Sequence, residues 1–441
     1  MRRKIQISSL VMIALFSLWL IERPANSIIK KDKEMQWLVK NSHEILSLES
    51  EVYKDLEFLK PLLKDKKYVF LGESSHGISE YNQIKVRMVK YLHKELRFDV
   101  IAFESPVLDA SLSYSEKEMM GYSGKDLNQE AVYNFWHAGE VTPLFDYIID
   151  NKSKNPLILT GFDIQLKSDV LERFLTKISK TDTELAEEFA ELEMNYKAIR
   201  MEMMKGTAPS DEDIKYFELG YQKAMGYIHK NEDKIFEEYK EYPELKKLLI
   251  LGMQNRIDLI KSRATTRQHD FIIRDELMAK NIEELAKEVY PGKKIIFWAH
   301  NGHIRDNNSE VLQNVEGGTK FYPWTIPTMY ENLPNQMKEE SYNIGLYAYE
   351  GSFIDTSGQI ATYNNGEKYK EISLEYKLNQ AGSDYSFIDI SRQKENQYNK
   401  WIFEPIESVY QGLFLEKFIP KKTYNGLTFI KEVNPPLIYN D

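Results

Sequence analysis

Six side chains able to move protons fall just beyond short apolar runs: Glu73, His76, Glu104, Asp163, His300 and His303. Glu73 and His76 lie in the turn after Lys67–Leu71 (KYVFL), and Glu104 follows Asp99–Phe103 (DVIAF). Asp163 closes Pro156–Thr160 (PLILT) through Gly161-Phe162, and both later histidines follow Lys294–Trp298 (KIIFW). An imidazole can take a proton from water, and a carboxylate on its other nitrogen fixes the tautomer. A second histidine can polarise a carbonyl or protonate a leaving alcohol. This set is equipped for ester hydrolysis without a covalent intermediate. Ser74 or Ser75 beside His76 could act as a nucleophile, but Gly72-Glu73-Ser74-Ser75-His76 lacks the final glycine of a G-x-S-x-G elbow. No phosphate-cradling glycine loop is present. The serious rival is a divalent metal, since histidines and carboxylates suit zinc or manganese. Lys85 and Arg274 would already neutralise the acids, so the expectation is no metal and no cofactor.

The elements needed to position these groups are legible in the hydrophobic pattern. Each apolar run reads as a buried strand, and ligands gather beyond the carboxyl ends of parallel strands. Ser79–Leu96 has a helical stripe of Tyr81, Met88, Val89, Leu92 and Leu96, with Lys85 in its middle and Arg87 opposite. A lysine facing the core needs a carboxylate, and Glu73 and Glu104 are the candidates. A second helix, Asp270–Val289, carries Arg274 inward beside Phe271, Leu277, Met278 and Leu285. Gln129–Asp150 reads as a helix whose Trp136 lines a pocket. Trp136, Asp163 and Asn301 are the expected substrate contacts. Asn343–Tyr349, Tyr385–Asp389 and Leu427–Ile430 read as further strands, Lys31–Lys60 as helix, and Val315–Glu331 as a surface loop near the pocket.

Between residues 168 and 263 there is no strand pattern, only charged amphipathic helices. The expected fold is therefore α/β: a mostly parallel sheet flanked by helices, with an inserted all-helical subdomain over the cleft. Residues 28–167 and 264–441 form the core, and 168–263 the insertion.

Composition narrows the partners. The 441-residue chain has a formal charge of −10, which argues against nucleic acid, and no cysteine, which excludes disulfides and thiolate chemistry. Residues 1–27 combine Met1-Arg2-Arg3-Lys4, an apolar run Leu10–Ile21 and small residues at Ala25-Asn26-Ser27, the pattern of a signal peptide or N-terminal anchor. The mature domain is expected outside the cytoplasm, secreted or touching the membrane only through that segment if it stays uncleaved. Its partner is expected to be a small-molecule ester or lactone.

Gly72-Glu73-x-x-His76-Gly77, Glu80, Lys85 and Phe103-Glu104 together resemble the opening motif of the erythromycin esterase family. Gly161-Phe162-Asp163, Arg274-Asp275-x-x-Met278-Ala279-x-Asn281 and Trp298-Ala299-His300-Asn301-Gly302-His303 resemble its later motifs, in order, between Tyr68 and Ile430. The resemblance implies an α/β core, a helical insertion and a deep cleft between them. It also implies His76 as general base on water, Glu73 as its partner, and Glu104, Lys85, Arg274, His300 and His303 around the cleft. The implied activity is carboxylic ester hydrolysis, with a macrolide lactone and antibiotic resistance among its uses. A glycan- or lactone-binding protein, an envelope-polysaccharide accessory protein and a metal-dependent hydrolase stay open on the same cleft.

Overall fold

A computed structural model describes residues 33–439, apart from 153, 315–319, 356, 364–372 and 413. The export-like segment 1–27 lies outside the described residues, and among those described no helix is long and apolar enough to cross a membrane. In chain order the strands are β1 (Ser42–Glu44), β2 (Tyr68–Leu71), β3 (Phe98–Pro106), β4 (Ile158–Asp163) and β5 (Lys294–Trp298). There follow β6 (Leu312–Asn314), β7 (Tyr322–Pro323), β8 (Ser341–Ile354), β9 (Ile360–Tyr363) and β10 (Tyr385–Asp389). Last come β11 (Ile406–Tyr410), β12 (Phe414–Phe418) and β13 (Gly426–Val433). The main sheet runs β1-β10-β13-β8-β2-β5-β3-β4, with β9 on the far end of β8. From β13 to β4 every neighbouring pair is parallel, whereas β1, β10 and β9 pair antiparallel. A small antiparallel sheet, β11-β12-β6-β7, stands apart from it.

The pleat explains the continuous apolar runs. Val69, Leu71, Ile101, Phe103, Ile296 and Trp298 join one core, while Phe70, Val100, Ala102, Ile295 and Phe297 join another on the opposite face. A parallel strand covered on both sides has no polar face to show. Each fully buried valine, leucine or phenylalanine contributes about 1.5–3 kcal/mol. The first face is covered by α1 (Ser79–Leu96) through Ile84, Met88 and Leu92. Further along come α2 (Val107–Met120) and α3 (Thr142–Asp150). Residues 168–263 hold α4 (Val170–Ser179), α5 (Thr183–Met204), α6 (Asp211–Lys230) and α7 (Leu245–Ser262), which share a separate apolar core around Phe189, Tyr221 and Met253. The second face of the sheet is covered by α8 (Arg267–Glu284) through Met278 and Ile282, continued by a π-turn at Leu285–Val289. Ser210 and Asp213 form a capping box at the start of α6, and the Asp182 side chain caps α5.

Three local expectations differ from the structure. Lys31–Lys60 is not one helix: residues 33–41 are helical, then β1 joins the sheet edge and only short turns of helix follow. Arg87 takes the carbonyls of Ser47, Ser50 and Val52 that a helix would have used internally, and also pairs with Asp55. Gln129–Asp150 breaks into a helix ending at Ala131, a 3-10 turn Asn134–Trp136, and α3 with proline in its first turn. In the segment 315–331, of which 320–331 is described, Thr328, Met329 and Tyr330 are buried. They pack against the His303 turn, the Tyr330 amide donating to the His303 carbonyl, whereas residues 320–325 keep to the surface as expected.

Candidate active site

The ends of β2, β5, β3 and β4 lie in register, Leu71 and Phe103 both opposite Trp298, and Phe103 opposite Gly161. Residues one to three positions further on therefore collect at one edge of the sheet. The chain bulges between Phe103 and Pro106, which turns Glu104 toward β5. Gly161 makes room for that bulge, because a Cβ there would meet the Ser105 carbonyl oxygen at 2.1 Å. Gly77, at φ +71°, turns the chain under β8, where a Cβ would meet the Ile354 carbonyl at 2.1 Å.

Two networks result. In the first, Glu73 Oε1 lies 2.5 Å from His76 Nδ1 and also accepts the Trp136 indole N–H at 3.1 Å. Glu73 Oε2 takes the Lys85 ammonium at 2.6 Å. Lys85 is wholly buried, with its Nζ 4.2 Å from the centre of the Trp298 ring. Burial pushes the Lys85 amine down to about 8 against the pull of Glu73, and Lys85 in turn holds the Glu73 carboxyl below its ordinary value against burial. With Nδ1 engaged by a carboxylate, the free nitrogen of His76 is Nε2. The ring stacks on Phe135, centroids 4.2 Å apart.

In the second network Glu104 is the hub. Its Oε1 accepts from Arg274 Nη2 at 2.9 Å and lies 3.1 Å from His303 Nε2, while Oε2 accepts the His300 amide at 2.8 Å. Arg274 also grips Asp163, at 2.6 Å from Nη2 and 3.0 Å from Nε. His303 Nδ1 sits 2.6 Å from Asp275, whose other oxygen accepts the Met329 amide at 3.0 Å. Burial opposes charge on His303, but Asp275 and Glu104 on its two nitrogens hold it up at about 10, so it is an imidazolium. Its Nε2–H therefore donates to Glu104, and the 3.4 Å approach of Arg274 Nη1 is a contact of two cations sharing one acid. His303 and Arg274 keep Glu104 well below the usual carboxylate range despite its burial.

His300 differs from its neighbour. Its Nδ1 accepts the Gly302 amide at 2.9 Å, so the proton of the neutral ring is on Nε2, which is buried and has no hydrogen-bond partner among the described residues. Burial, followed by the proximity of His76, pushes its pKa well below the ordinary value. The His76 and His300 rings are neighbours, centroids 5.0 Å apart, and both line a cleft of about 640 Å³. That cleft is also lined by Tyr133, Phe135, Phe271, Ile354, Tyr410 and Tyr439. The adjoining rings thus offer a base and an N–H donor.

Of the expected site residues, Glu73, His76, Lys85, Glu104, Asp163, Arg274, His300 and His303 are brought together. Trp136 and Asn301 are placed otherwise. Trp136 is buried behind Glu73 as a donor, and its neighbour Phe135 takes the cleft wall. Asn301 is buried and pairs through its amide with both backbone groups of Leu346, pinning β8 beneath the turn. Asp163 does not line the cleft and meets it through Arg274 and through the Tyr133 hydroxyl, which donates to it at 3.2 Å. Asp275 had no assigned role, although its spacing from Met278 and Ile282 puts it on the buried stripe of α8. Tyr410 and the C-terminal stretch Ile438–Tyr439 come from far along the chain, with no local signal. No side chain of residues 168–263 lines the cleft, yet Arg200 of α5 pairs with Asp270 one turn before Arg274. Among the described residues no three histidines or acids converge as a metal cage, because the carboxylate oxygens face cations and N–H groups.

Residues 93–433 match the model of the erythromycin esterase family, a span that begins after the Glu73–His76 turn. The Bacillus subtilis (strain 168) protein YbfO, to which the name hydrolase has been given only provisionally, is 31% identical over 400 residues, covering 87% of this chain and 88% of its own. Among solved structures, a succinoglycan biosynthesis protein superposes with a TM-score of 0.70 at 17% identity, covering 92% of this chain and 98% of that one. A mutant of the erythromycin esterase EreC in its open conformation superposes at 0.57 and 15% identity, covering 88% and 96%. These two likenesses bear on the fold.

Proposed function

The chain belongs to the erythromycin esterase family, and from that membership and the cleft geometry we propose that it is a carboxylic ester hydrolase in which His76 activates water. The family and the relative's name support a hydrolase. The ester chemistry rests on one observation: His76, held at Nδ1 by Glu73 at 2.5 Å, lines the cleft with its ring 5.0 Å from that of His300, whose Nε2–H has no hydrogen-bond partner among the described residues.

In this reading a water proton passes to His76 Nε2 as the water oxygen attacks the ester carbonyl carbon. The carbonyl π pair moves onto its oxygen, which the His300 Nε2–H receives. Collapse breaks the bond to the alkoxy oxygen, and that oxygen takes the proton back from His76, yielding acid and alcohol. Glu73 stays ionised throughout, keeps the tautomer and stabilises the imidazolium. Lys85 keeps Glu73 charged in a buried place, and Glu104 fixes His300 through its amide. The aromatic walls suit a neutral ester, macrolide lactones included, and the basic and apolar residues 1–27 support an extracytoplasmic setting.

The test is turnover of an ester panel by the protein and by His76→Ala. Loss of a positioned base is expected to cost about 10²–10⁴-fold in kcat. The His76 side chain is 17% exposed, so unfolding midpoints should stay close to the parent's. Undiminished turnover by the variant refutes the reading. No turnover by the parent, with tight binding of a glycan or lactone, would establish a binding protein instead.

A further inference from the structure

The two networks just described are built by the large sheet, but the wall beside His300 comes from the small one. There β11 ends on Tyr410, whose ring stands edge-on to His300, centroids 5.6 Å apart and planes at 86°. Its hydroxyl rests against Gly302, where an added Cβ would come within 2.8 Å of the phenol oxygen. The turn that carries His300 and His303 is thus shaped to admit that oxygen. Tyr410 is held there from two sides. The Gln411 amide donates to the Ser74 carbonyl at 3.1 Å, tying β11 to the His76 turn. Gln411 itself takes φ +53°, a left-handed conformation that a non-glycine residue adopts only when its surroundings hold it there. The Arg305 guanidinium lies 4.9 Å from the Tyr410 ring centre, anchored by a 2.8 Å ion pair with Glu416 of β12.

All this positioning presents a hydroxyl that has no hydrogen-bond partner among the described residues, although Tyr410 lines the cleft. Burial pushes the phenol up to about 12, so it keeps its proton at neutral pH. The His300 Nε2–H beside it is likewise unpartnered. Two donors on adjoining rings, neither with an acceptor among the described residues, suit an oxygen that gains charge during reaction. We propose that Tyr410 is a catalytic residue of the ester-hydrolysis site, its O–H joining the His300 Nε2–H in receiving the oxyanion of the tetrahedral intermediate. The assignment rests on the hydrolase reading above. Tyr410 donates a hydrogen bond and no proton: the oxygen charge arrives with the carbonyl π pair and leaves when the ester C–O bond breaks.

Tyr410→Phe removes one oxygen and keeps the ring packed between Arg305 and His300. Parent, Tyr410→Phe and His76→Ala are compared on p-nitrophenyl butyrate, δ-valerolactone, glucose pentaacetate and erythromycin, and in binding p-nitrophenyl methylphosphonate, a tetrahedral anion. Losing one oxyanion donor is expected to lower kcat about 10²–10³-fold. KM should move little, and phosphonate affinity should fall alongside kcat. A Tyr410→Phe kcat within threefold of the parent's, or a raised KM with kcat kept, overturns the assignment. If His76→Ala is inactive in that same experiment, the hydrolase reading survives the loss of Tyr410's role. A parent that neither hydrolyses any of the four nor binds the phosphonate overturns both.

Discussion

His303 offers the sharpest test of the charge network, because its proton is held by geometry that pH can undo. It lies 2.6 Å from Asp275 and 3.1 Å from Glu104, and its pKa stands at about 10 against 6.5 for a free imidazole. The folded protein therefore binds this proton more tightly than the unfolded chain does. The stabilisation is fully present below pH 6.5, falls as pH rises, and is gone above the folded value of about 10. Between those limits the unfolded chain has released the proton and the folded one has not, so the slope is about 1.4 kcal/mol per pH unit. From pH 7 to pH 9 the loss is then about 2.7 kcal/mol. Urea unfolding at half-unit steps from pH 6.5 to 9.5, for the parent and for His303→Gln, isolates the contribution as a difference curve. The variant should be less stable throughout, since it leaves Asp275 and part of Glu104 without their cation, and the difference should shrink at the stated slope. A difference that stays flat from pH 7 to 9 would show a neutral His303. The reading of Glu104 as an acid shared by two cations would then be wrong.

Lys85→Met tests the first network. Met fills most of the space beside Trp298 but leaves Glu73 buried without its 2.6 Å counter-charge, and breaking such a pair costs about 3–5 kcal/mol. Glu73 then titrates higher than in the parent, so the penalty measured by chemical unfolding should be smaller at pH 5 than at pH 8, and turnover should fall with the altered His76 tautomer. An equal penalty at both pH values would contradict the pairing. Metal dependence is the last prediction: a divalent ion entering beside Lys85 or Arg274 meets a repulsion of about 4 kcal/mol per charge pair at 4 Å and moderate dielectric. Protein dialysed against excess chelator should therefore keep its hydrolytic rate. Near-stoichiometric zinc or manganese, with activity lost on chelation and restored by the metal, would refute this.

Much of the site was legible because its residues report their own surroundings. A strand buried on both faces can only be an unbroken apolar run, so KYVFL, PLILT and KIIFW mark themselves, and the acids and histidines that follow must stand at strand ends. Lys85 in the middle of an apolar stripe announces a buried counter-charge, and Glu73 supplies it. The helical period fixes which face of α1 a residue occupies, independently of anything distant.

Other features were decided only when distant segments met. The sequence places His300 and His303 in one turn, but cannot say that one becomes a neutral donor and the other a cation. That division depends on Gly302 donating to one ring and on Asp275, from another element, reaching the other. Trp136 and Asn301 carry groups suited to a ligand, and the fold spends them on Glu73 and Leu346 instead. The helix expected over Gln129–Asp150 gave way because the 3-10 turn brings Trp136 to Glu73 and Phe135 to His76. Tyr410 had no sequence signal at all, since its place depends on a second sheet docking its edge against the His76 turn. Local pattern determines what each strand end carries. Which of those groups share a proton, and which face the cleft, is set by contacts between residues hundreds of positions apart, where packing rather than period decides.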